Sequence, residues 1–356
     1  MTTADRASLL AKHCQDQDYE PYLGYFAAVD LIHWLKVELG HPEVLDQFVE
    51  LHQGSQTKAR ASSNILHILS GNTPHAALQS LVRGLLIGSV NTVKLPSGGL
   101  PIVEQWIATL PEALARLVNT ITVVSDEIFE RATTVIAIGS DETMLAIQKK
   151  IQPQQRFIPH GHKLSIGLID RPSEHAARLA VQDICAHNQQ GCLSLHTLYI
   201  KEDPAAMLPL IATAMREYEA QSPRGTISLS ESGAISNLRE TIRYHAANEP
   251  EDFGIEHSLG DTSWTAIFRN SPTLIPSPLN RVVSIQPWPD NFADLGSEVD
   301  YLSSIAIHPK NELIGAISAL NIPRICELGD AQHPPLHWHH DGIAPLASLV
   351  HWQDIH

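Results

Sequence analysis

The stretch Ile65-Leu66-His67-Ile68-Leu69-Ser70-Gly71-Asn72-Thr73-Pro74 decides the fold. Ile65 to Leu69 is an apolar run of strand length, and Ser70-Gly71-Asn72 supplies turn residues. Pro74 suits the first turn of a helix, where its missing N–H has no intrahelical partner to lose. The helical pattern runs on to about Ile87 and stops at Gly88. Further along, Asn91 to Leu95 reads as a strand closed by Pro96-Ser97-Gly98-Gly99, and Ile102 to Leu117 as a helix. Thr120 to Val124 is a strand, Asp126 to Ala132 a helix, and Thr134 to Ile138 a strand turning at Gly139-Ser140. Strands alternating with helices of this length predict an α/β fold with a largely parallel sheet flanked by helices.

Upstream, Tyr25 to Leu39 carries apolar residues at helical spacing and ends at Gly40-His41-Pro42. Val44 to Leu51 reads as a second helix and Gln53 to Ser63 as a polar connector. Downstream, Lys163 to Ile169 is a strand, Ser173 to Ala186 a helix, Leu193 to Ile200 a strand and Pro204 to Gln221 a long helix. Ile227 to Pro289 mixes strands and loops, including Thr262 to Phe268 and Arg281 to Gln286. Ser297 to Ala306 reads as helical, and a proline- and histidine-rich tail begins at Pro323.

With 356 residues, 43% hydrophobic and 18% charged, the chain can build two domains with real cores. A net charge of −15, with no stripe of Lys and Arg, argues against a nucleic-acid partner. Met1 to His13 has neither the basic segment nor the apolar run of a signal peptide. No apolar stretch approaches the ~20 residues of a membrane helix. The four cysteines show no framework spacing and no Cys-x-x-Cys pair, so a reducing cytoplasm is the expected compartment.

Cys192 stands out among them. It ends Asn188-Gln189-Gln190-Gly191-Cys192, where a turn meets a strand, and the neighbouring glycine leaves its sulfur uncrowded. Such a thiol can be approached by a planar carbonyl, which suggests nucleophilic catalysis. Cys185 reads as a small core residue. Asn72 lies between strand and helix at a sheet's carboxyl edge, where ligands bind in open α/β folds.

These motifs, taken in order, resemble the aldehyde dehydrogenase superfamily. Ser70-Gly71-Asn72-Thr73-Pro74, a helix, then Asn91-Thr92-Val93-Lys94-Leu95-Pro96-Ser97 match its asparagine-proline turn and lysine-proline-serine strand end. Gly139-Ser140 is similar to its second nucleotide-binding turn, Gly161-His162-Lys163 to its Gly-Gly-Lys turn, and Gln190-Gly191-Cys192 to its catalytic cysteine motif. The closer resemblance is to acyl-CoA reductases of bioluminescence operons. They share Gly-Asn-Thr-Pro and a C-terminal Trp-Asp-Gly-like element, here Trp338-His339-His340-Asp341-Gly342. The resemblance covers roughly Ile65 to Trp352. Three positions and one element depart from the superfamily pattern. Pro159 replaces the glutamate of hydrolytic members, Gly98 an acidic residue and Met144 a glycine. The Glu-Phe-Gly-Pro element is unrecognisable near Pro276-Ser277-Pro278-Leu279.

The resemblance implies a two-domain organisation. Residues 1–160 would hold N-terminal helices and a dinucleotide-binding domain, and 161–340 the catalytic cysteine domain. A tail, 341–356, can pack back on the first. It implies NAD(P)H-dependent reduction of an acyl-CoA thioester to an aldehyde. Cys192 would be the nucleophile, with the Asn72 amide and the Cys192 N–H as oxyanion donors. Lys94, Ser97, Gly139 and Ser140 would contact the cofactor, Ser140 because it opens a helix whose free N–H groups attract anions. Gly98 removes repulsion toward a 2′-phosphate, so NADPH is preferred and NADH allowed. Coenzyme A enters as part of the substrate, and a homodimer is compatible. The missing glutamate disfavours hydrolysis, which needs a base to activate water. His160 and His162 read as structural hydrogen-bonders more readily than as bases. The histidine-rich tail (His333, His337, His339, His340, Asp341) reads as a polar loop, with no metal expected. The alternatives are an acyl-phosphate reductase, a hydrolytic aldehyde dehydrogenase, or a non-catalytic relative acting as a binding subunit.

Overall fold

Residues 1–356 are described in a computed structural model, except Gln53, Asn72, Thr73, Gly296 and Ala319 and the side chains of Ala293 and Asp294. The oxyanion role expected of Asn72 therefore falls outside the described residues. The chain divides into two units, Met1–His162 with His333–His356, and Lys163–Gln332.

The first unit opens with helices α1 (Thr3–Asp16), α2 (Glu20–Leu23) and α3 (Ala28–Leu39), then strands β1 (Val49–Glu50) and β2 (Gln56–Ala61). The alternating region follows as β3 (Asn64–Ile68), α4 (Pro74–Ile87), β4 (Val90–Lys94), α5 (Pro101–Ala108) and α6 (Glu112–Ala115). It continues through β5 (Val118–Ile121), α7 (Asp126–Arg131), β6 (Thr134–Ile138), α8 (Asp141–Gln148) and β7 (Arg156–His160). The sheet is parallel, in the order β5-β4-β3-β6-β7. The chain walks outward from β3 through β4 to β5, then returns to the other side of β3 for β6 and β7. That reversal beside β3 leaves the crevice in which open α/β sheets bind ligands at their carboxyl ends. Ile68 pairs with both Lys94 and Ala137, so β3, β4 and β6 end at one level. Helix α4 is buried from Ala77 to Ile87, because α1, α2 and α5 cover the side turned away from the sheet.

In the second unit, β8 (Leu164–Ile169), α9 (Glu174–Cys185), β9 (Leu195–Ile200) and α10 (Met207–Gln221) precede α11 (Leu229–Asn248). Then come β10 (Phe253–His257), β11 (Thr265–Arg269), β12 (Val282–Pro287), β13 (Leu302–His308), α12 (Lys310–Ile317) and β14 (Arg324–Glu327). The sheet order is β10-β11-β12-β9-β8-β13-β14, and only β10 runs antiparallel. Both faces of β8 and β9 are buried, Ser165, His196 and Thr197 included, as expected of central strands in a parallel sheet. Last, β15 (Val350–Ile355) returns to the first unit and pairs antiparallel with β2, from Val350–Ala61 to Ile355–Gln56.

Several expected elements are corrected. Residues 44–51 form turns and the short β1 instead of a helix, and the expected connector contains β2. The helix expected over Ile102 to Leu117 is interrupted around Pro111, which lacks the N–H a continuing helix needs. Ile227 to Pro289 includes α11, a 20-residue helix with a Ser228–Glu231 capping box. The helix expected over Ser297 to Ala306 is instead a 3₁₀ turn followed by β13, buried between β8 and β14. Among the described residues no helix is long and apolar enough to cross a membrane.

Candidate active site

In the first unit, Lys94 is the last residue of β4 and Ser97 lies exposed in the following turn. Gly139 and Ser140 follow β6, on the same carboxyl edge. Ser140 is the N-cap of α8: its Oγ accepts the Thr143 N–H at 3.3 Å, so other N–H groups of the first turn are left to face a ligand. Asp141 Oδ1 accepts the His162 N–H at 2.7 Å, tying the Gly139-Ser140 turn to the Gly161-His162-Lys163 turn. A Cβ on Gly161 would stand 2.4 Å from that oxygen, which explains the glycine. Beside α8 lies a recess of about 390 Å³ lined by Ile68, Val124, Phe129, Thr143, Ala146 and Ile147. Ser125, Asp126, Glu142 and Lys150 also line it, so apolar walls and charged groups meet beside a helix N-terminus. Sequence reasoning missed these lining residues. Their only signal was position, just beyond strand ends and one turn into helices.

His160 ends β7 and is tied into the chain's return. Its Nδ1 lies 2.7 Å from Asp341 Oδ2, and its ring stacks on His340 at 4.0 Å with 13° between planes. Trp338 stacks on the other side of His340 at 4.7 Å. Burial, then the neighbouring His160, holds His340 well below the ordinary imidazole range, so it is neutral. Arg83, pushed down to about 10 by burial, donates to the carbonyl of Leu336 at 3.3 Å. His160, His340 and Asp341 bring three ligating atoms within 4.8 Å of one another. Yet stacked parallel rings direct their lone pairs side by side instead of at one point, and a buried guanidinium stands near. The cluster reads as a clamp on the returning segment. His333, His337 and His339 line a separate cleft of about 670 Å³, with Tyr22, Phe26, Trp34 and Leu336 among its apolar walls.

In the second unit, Cys192 lies between α9 and β9 and is half-buried, whereas Cys14, Cys185 and Cys326 are buried. Burial pushes the Cys14 and Cys185 thiols up to about 12, so they stay protonated and unreactive. The loop before Cys192 is held from several sides. Ser165 Oγ donates to the Cys192 carbonyl at 2.8 Å. The fully buried Gln189 carboxamide donates to the carbonyls of Leu195 and Val282 at 2.8 Å each and accepts the Val282 N–H at 2.9 Å. Ser277 Oγ donates to the same carboxamide oxygen at 3.3 Å. The stretch Pro276 to Leu279, unrecognisable in sequence, is thus bonded to the cysteine loop.

This architecture is that of the aldehyde dehydrogenases. Glyceraldehyde-3-phosphate dehydrogenase GapN from Methanocaldococcus jannaschii, solved complexed with NADP, superposes with TM-score 0.66 at 12% identity, covering 100% of this chain and 90% of that one. A bifunctional proline utilization A protein superposes with TM-score 0.69 at 15% identity, and this chain spans only 42% of its length. The chain belongs to the acyl-CoA reductase (LuxC) family, whose profile matches residues 7–352. A long-chain acyl-protein thioester reductase of Aliivibrio fischeri is 24% identical over 91% of this chain and 69% of its own length.

Proposed function

We propose that the protein reduces acyl thioesters to aldehydes through an acyl-enzyme on Cys192. The observation that carries this is a half-buried thiol on a pinned loop, in a member of a reductase family. The Cys192 thiolate attacks the thioester carbonyl; the C–S bond to the carrier breaks and the carrier thiol leaves with a proton. The oxyanion formed during attack is stabilised by the Cys192 N–H and the Asn72 amide, the donors suggested by the sequence. A reduced nicotinamide, when bound, would supply the hydride for the acyl carbon. The resulting thiohemiacetal then expels Cys192 and leaves as aldehyde. Lys94 and Ser97 would hold ribose or phosphate, and Gly139 and Ser140 would receive phosphate. The recess beside α8 would take the adenine.

Hydrolysis of the acyl-enzyme is disfavoured because proline occupies position 159, where hydrolytic members of the resembled superfamily carry glutamate. Pro159 is exposed on β7, and His160 is committed to Asp341. NADPH is the favoured cofactor, since Gly98 places no carboxylate beside a 2′-phosphate. The long-chain donors named for the relatives make long acyl chains the first substrates to test. Their donor is an acyl-protein, so a protein thiol is as good a carrier candidate as coenzyme A.

The test is cofactor oxidation by full-length protein with NADPH or NADH, across short-to-long acyl-CoA and acyl-protein donors. Cys192→Ala should lose at least ~10⁴-fold in kcat. Full activity in Cys192→Ala would overturn the mechanism. Turnover confined to acyl phosphates would identify an acyl-phosphate reductase, and silence without cofactor binding a non-catalytic relative.

A further inference from the structure

The loop before Cys192 contains three consecutive non-glycine residues in the left-handed region: His187 (φ 51°), Asn188 (φ 53°) and Gln189 (φ 64°). A second such triplet, Leu279 (φ 67°), Asn280 (φ 59°) and Arg281 (φ 67°), leads directly into β12. Side chains with a Cβ enter this region singly as a rule, and runs of three persist only when surroundings enforce them. Here the two triplets are bonded to each other. Arg281 Nη2 donates to Asn188 Oδ1 at 2.8 Å, and Gln190 Nε2 donates to Asn280 Oδ1 at 3.2 Å. The Gln189 carboxamide closes the pair through Val282, as described above.

Arg281 itself is anchored from α10. Its Nη1 pairs with Glu219 Oε2 at 2.5 Å and donates to the Ser222 carbonyl at 2.9 Å, and its guanidinium lies 5.2 Å from the centre of the Tyr218 ring. Asn280 is held in turn, its Nδ2 donating to Glu231 Oε1 at 3.2 Å and its carbonyl accepting from Arg224 Nη1 at 3.2 Å. Two strained segments therefore share one lock, and Cys192 is three residues beyond it.

Resting on the reading of Cys192 as nucleophile, we propose that Arg281 and Asn188 are positioning residues. Their bond staples the two left-handed triplets and so sets where the Cys192 sulfur stands. Lysine at position 281 can keep the Glu219 pair but lacks the rigid second arm that reaches Asn188. Glycine at 188 removes the acceptor while relieving the left-handed backbone, so the fold should not suffer.

The experiment measures the iodoacetamide alkylation rate of Cys192 in full-length wild type, Arg281→Lys and Asn188→Gly, with Cys192→Ala as blank. Thermal unfolding is followed in parallel. Both variants should alkylate ~10- to 100-fold more slowly and lose kcat in step, with KM little changed. Asn188→Gly should melt no lower than wild type. That opposition, a fold as stable with a slower thiol, is what a merely structural role would not produce. Wild-type alkylation in either variant, or faster alkylation that tracks only the unfolded fraction, overturns the proposal. Because alkylation needs no substrate, it decides the staple even if wild type turns over no thioester, an outcome that would sink the reductase reading separately.

Discussion

Asp183 shows how one buried side chain can tie stability to pH. It is 1% exposed on α9, and its carboxylate accepts the N–H groups of Gly329 at 2.7 Å and Ala331 at 3.0 Å. Burial is the largest influence and pushes the group up to about 7, although both N–H bonds pull the other way. An unfolded aspartate loses its proton near 3.8. Between these values the native state binds the extra proton, so stability falls as pH rises through the window and is greatest below it. In Asp183→Asn the amide nitrogen must face one backbone N–H, costing about 1–3 kcal/mol. That variant should also lose most of the decline between pH 4 and 7. Denaturant midpoints of the two proteins across this range are the check; parallel curves would show that Asp183 does not titrate there. At this scale the sequence could single out Cys192 as a candidate, because its glycine neighbour and the strand that follows are local. It was silent about Arg281, whose partner Asn188 lies 93 residues away and is found only by the sheet register.

At the level of elements, α4 and β4 meet through a glycine. A Cβ on Gly84 would lie 2.0 Å from Asn91 Oδ1. That oxygen is 2.9 Å from His67 Nε2, while Asn91 Nδ2 donates to the Ser89 carbonyl at 2.8 Å. The amide orientation fixes the histidine: Nε2 carries the proton and Nδ1 accepts from Ser80 Oγ at 2.9 Å. Burial holds His67 down to about 4, so the ring is neutral at ordinary pH. Gly84→Ala must displace Asn91 and strand a buried N–H, so overpacking and a lost hydrogen bond act together. The expected cost is about 2–4 kcal/mol, read from urea unfolding. A loss below about 0.5 kcal/mol would mean the helix shifts freely. The same scale shows which elements the sequence hid. Strand β2 (Gln-Thr-Lys-Ala-Arg-Ala) is polar, and it is a strand because β15 supplies its partner nearly 300 residues later. Helix α11 carries serine, glycine and asparagine and only three buried side chains, so periodicity gave it little voice. In β13 the run Leu-Ser-Ser-Ile-Ala-Ile-His is buried on both faces, and an apolar run of that kind fits helix or strand equally until its neighbours are known. By contrast β3, α4, β4 and β6 were legible, because each turn signal sits beside a strand of the right length.

For the whole molecule, the order of segments along the chain makes the two units unequal as folding bodies. Lys163–Gln332 is continuous and holds a complete seven-stranded sheet. Its own clusters centre on Leu198, Ile285 and Met215 on one face and on Leu164, Ile305 and Leu313 on another. About 170 residues are enough for a self-sufficient core. The other unit is discontinuous. Its core includes Leu336, Leu346, Leu349 and Val350 from the returning segment, and β15 covers β2. Arg156 on β7 also donates to the carbonyls of Ser348 and Val350. A fragment of residues 1–162 would therefore expose an apolar surface and an unpaired strand edge, both aggregation hazards. Expressed separately, residues 163–332 should be soluble, unfold in one cooperative transition and retain an alkylatable Cys192. Residues 1–162 should precipitate, and a version with residues 333–356 rejoined through a short linker should not. The rejoined unit carries Lys94, Ser97, Gly139 and Ser140, so it should quench NADPH fluorescence while residues 163–332 alone do not. Soluble, cooperatively folding 1–162 would show that the returning segment is an ornament on that core, and NADPH binding by residues 163–332 would remove the cofactor from the carboxyl edge of the β3 sheet.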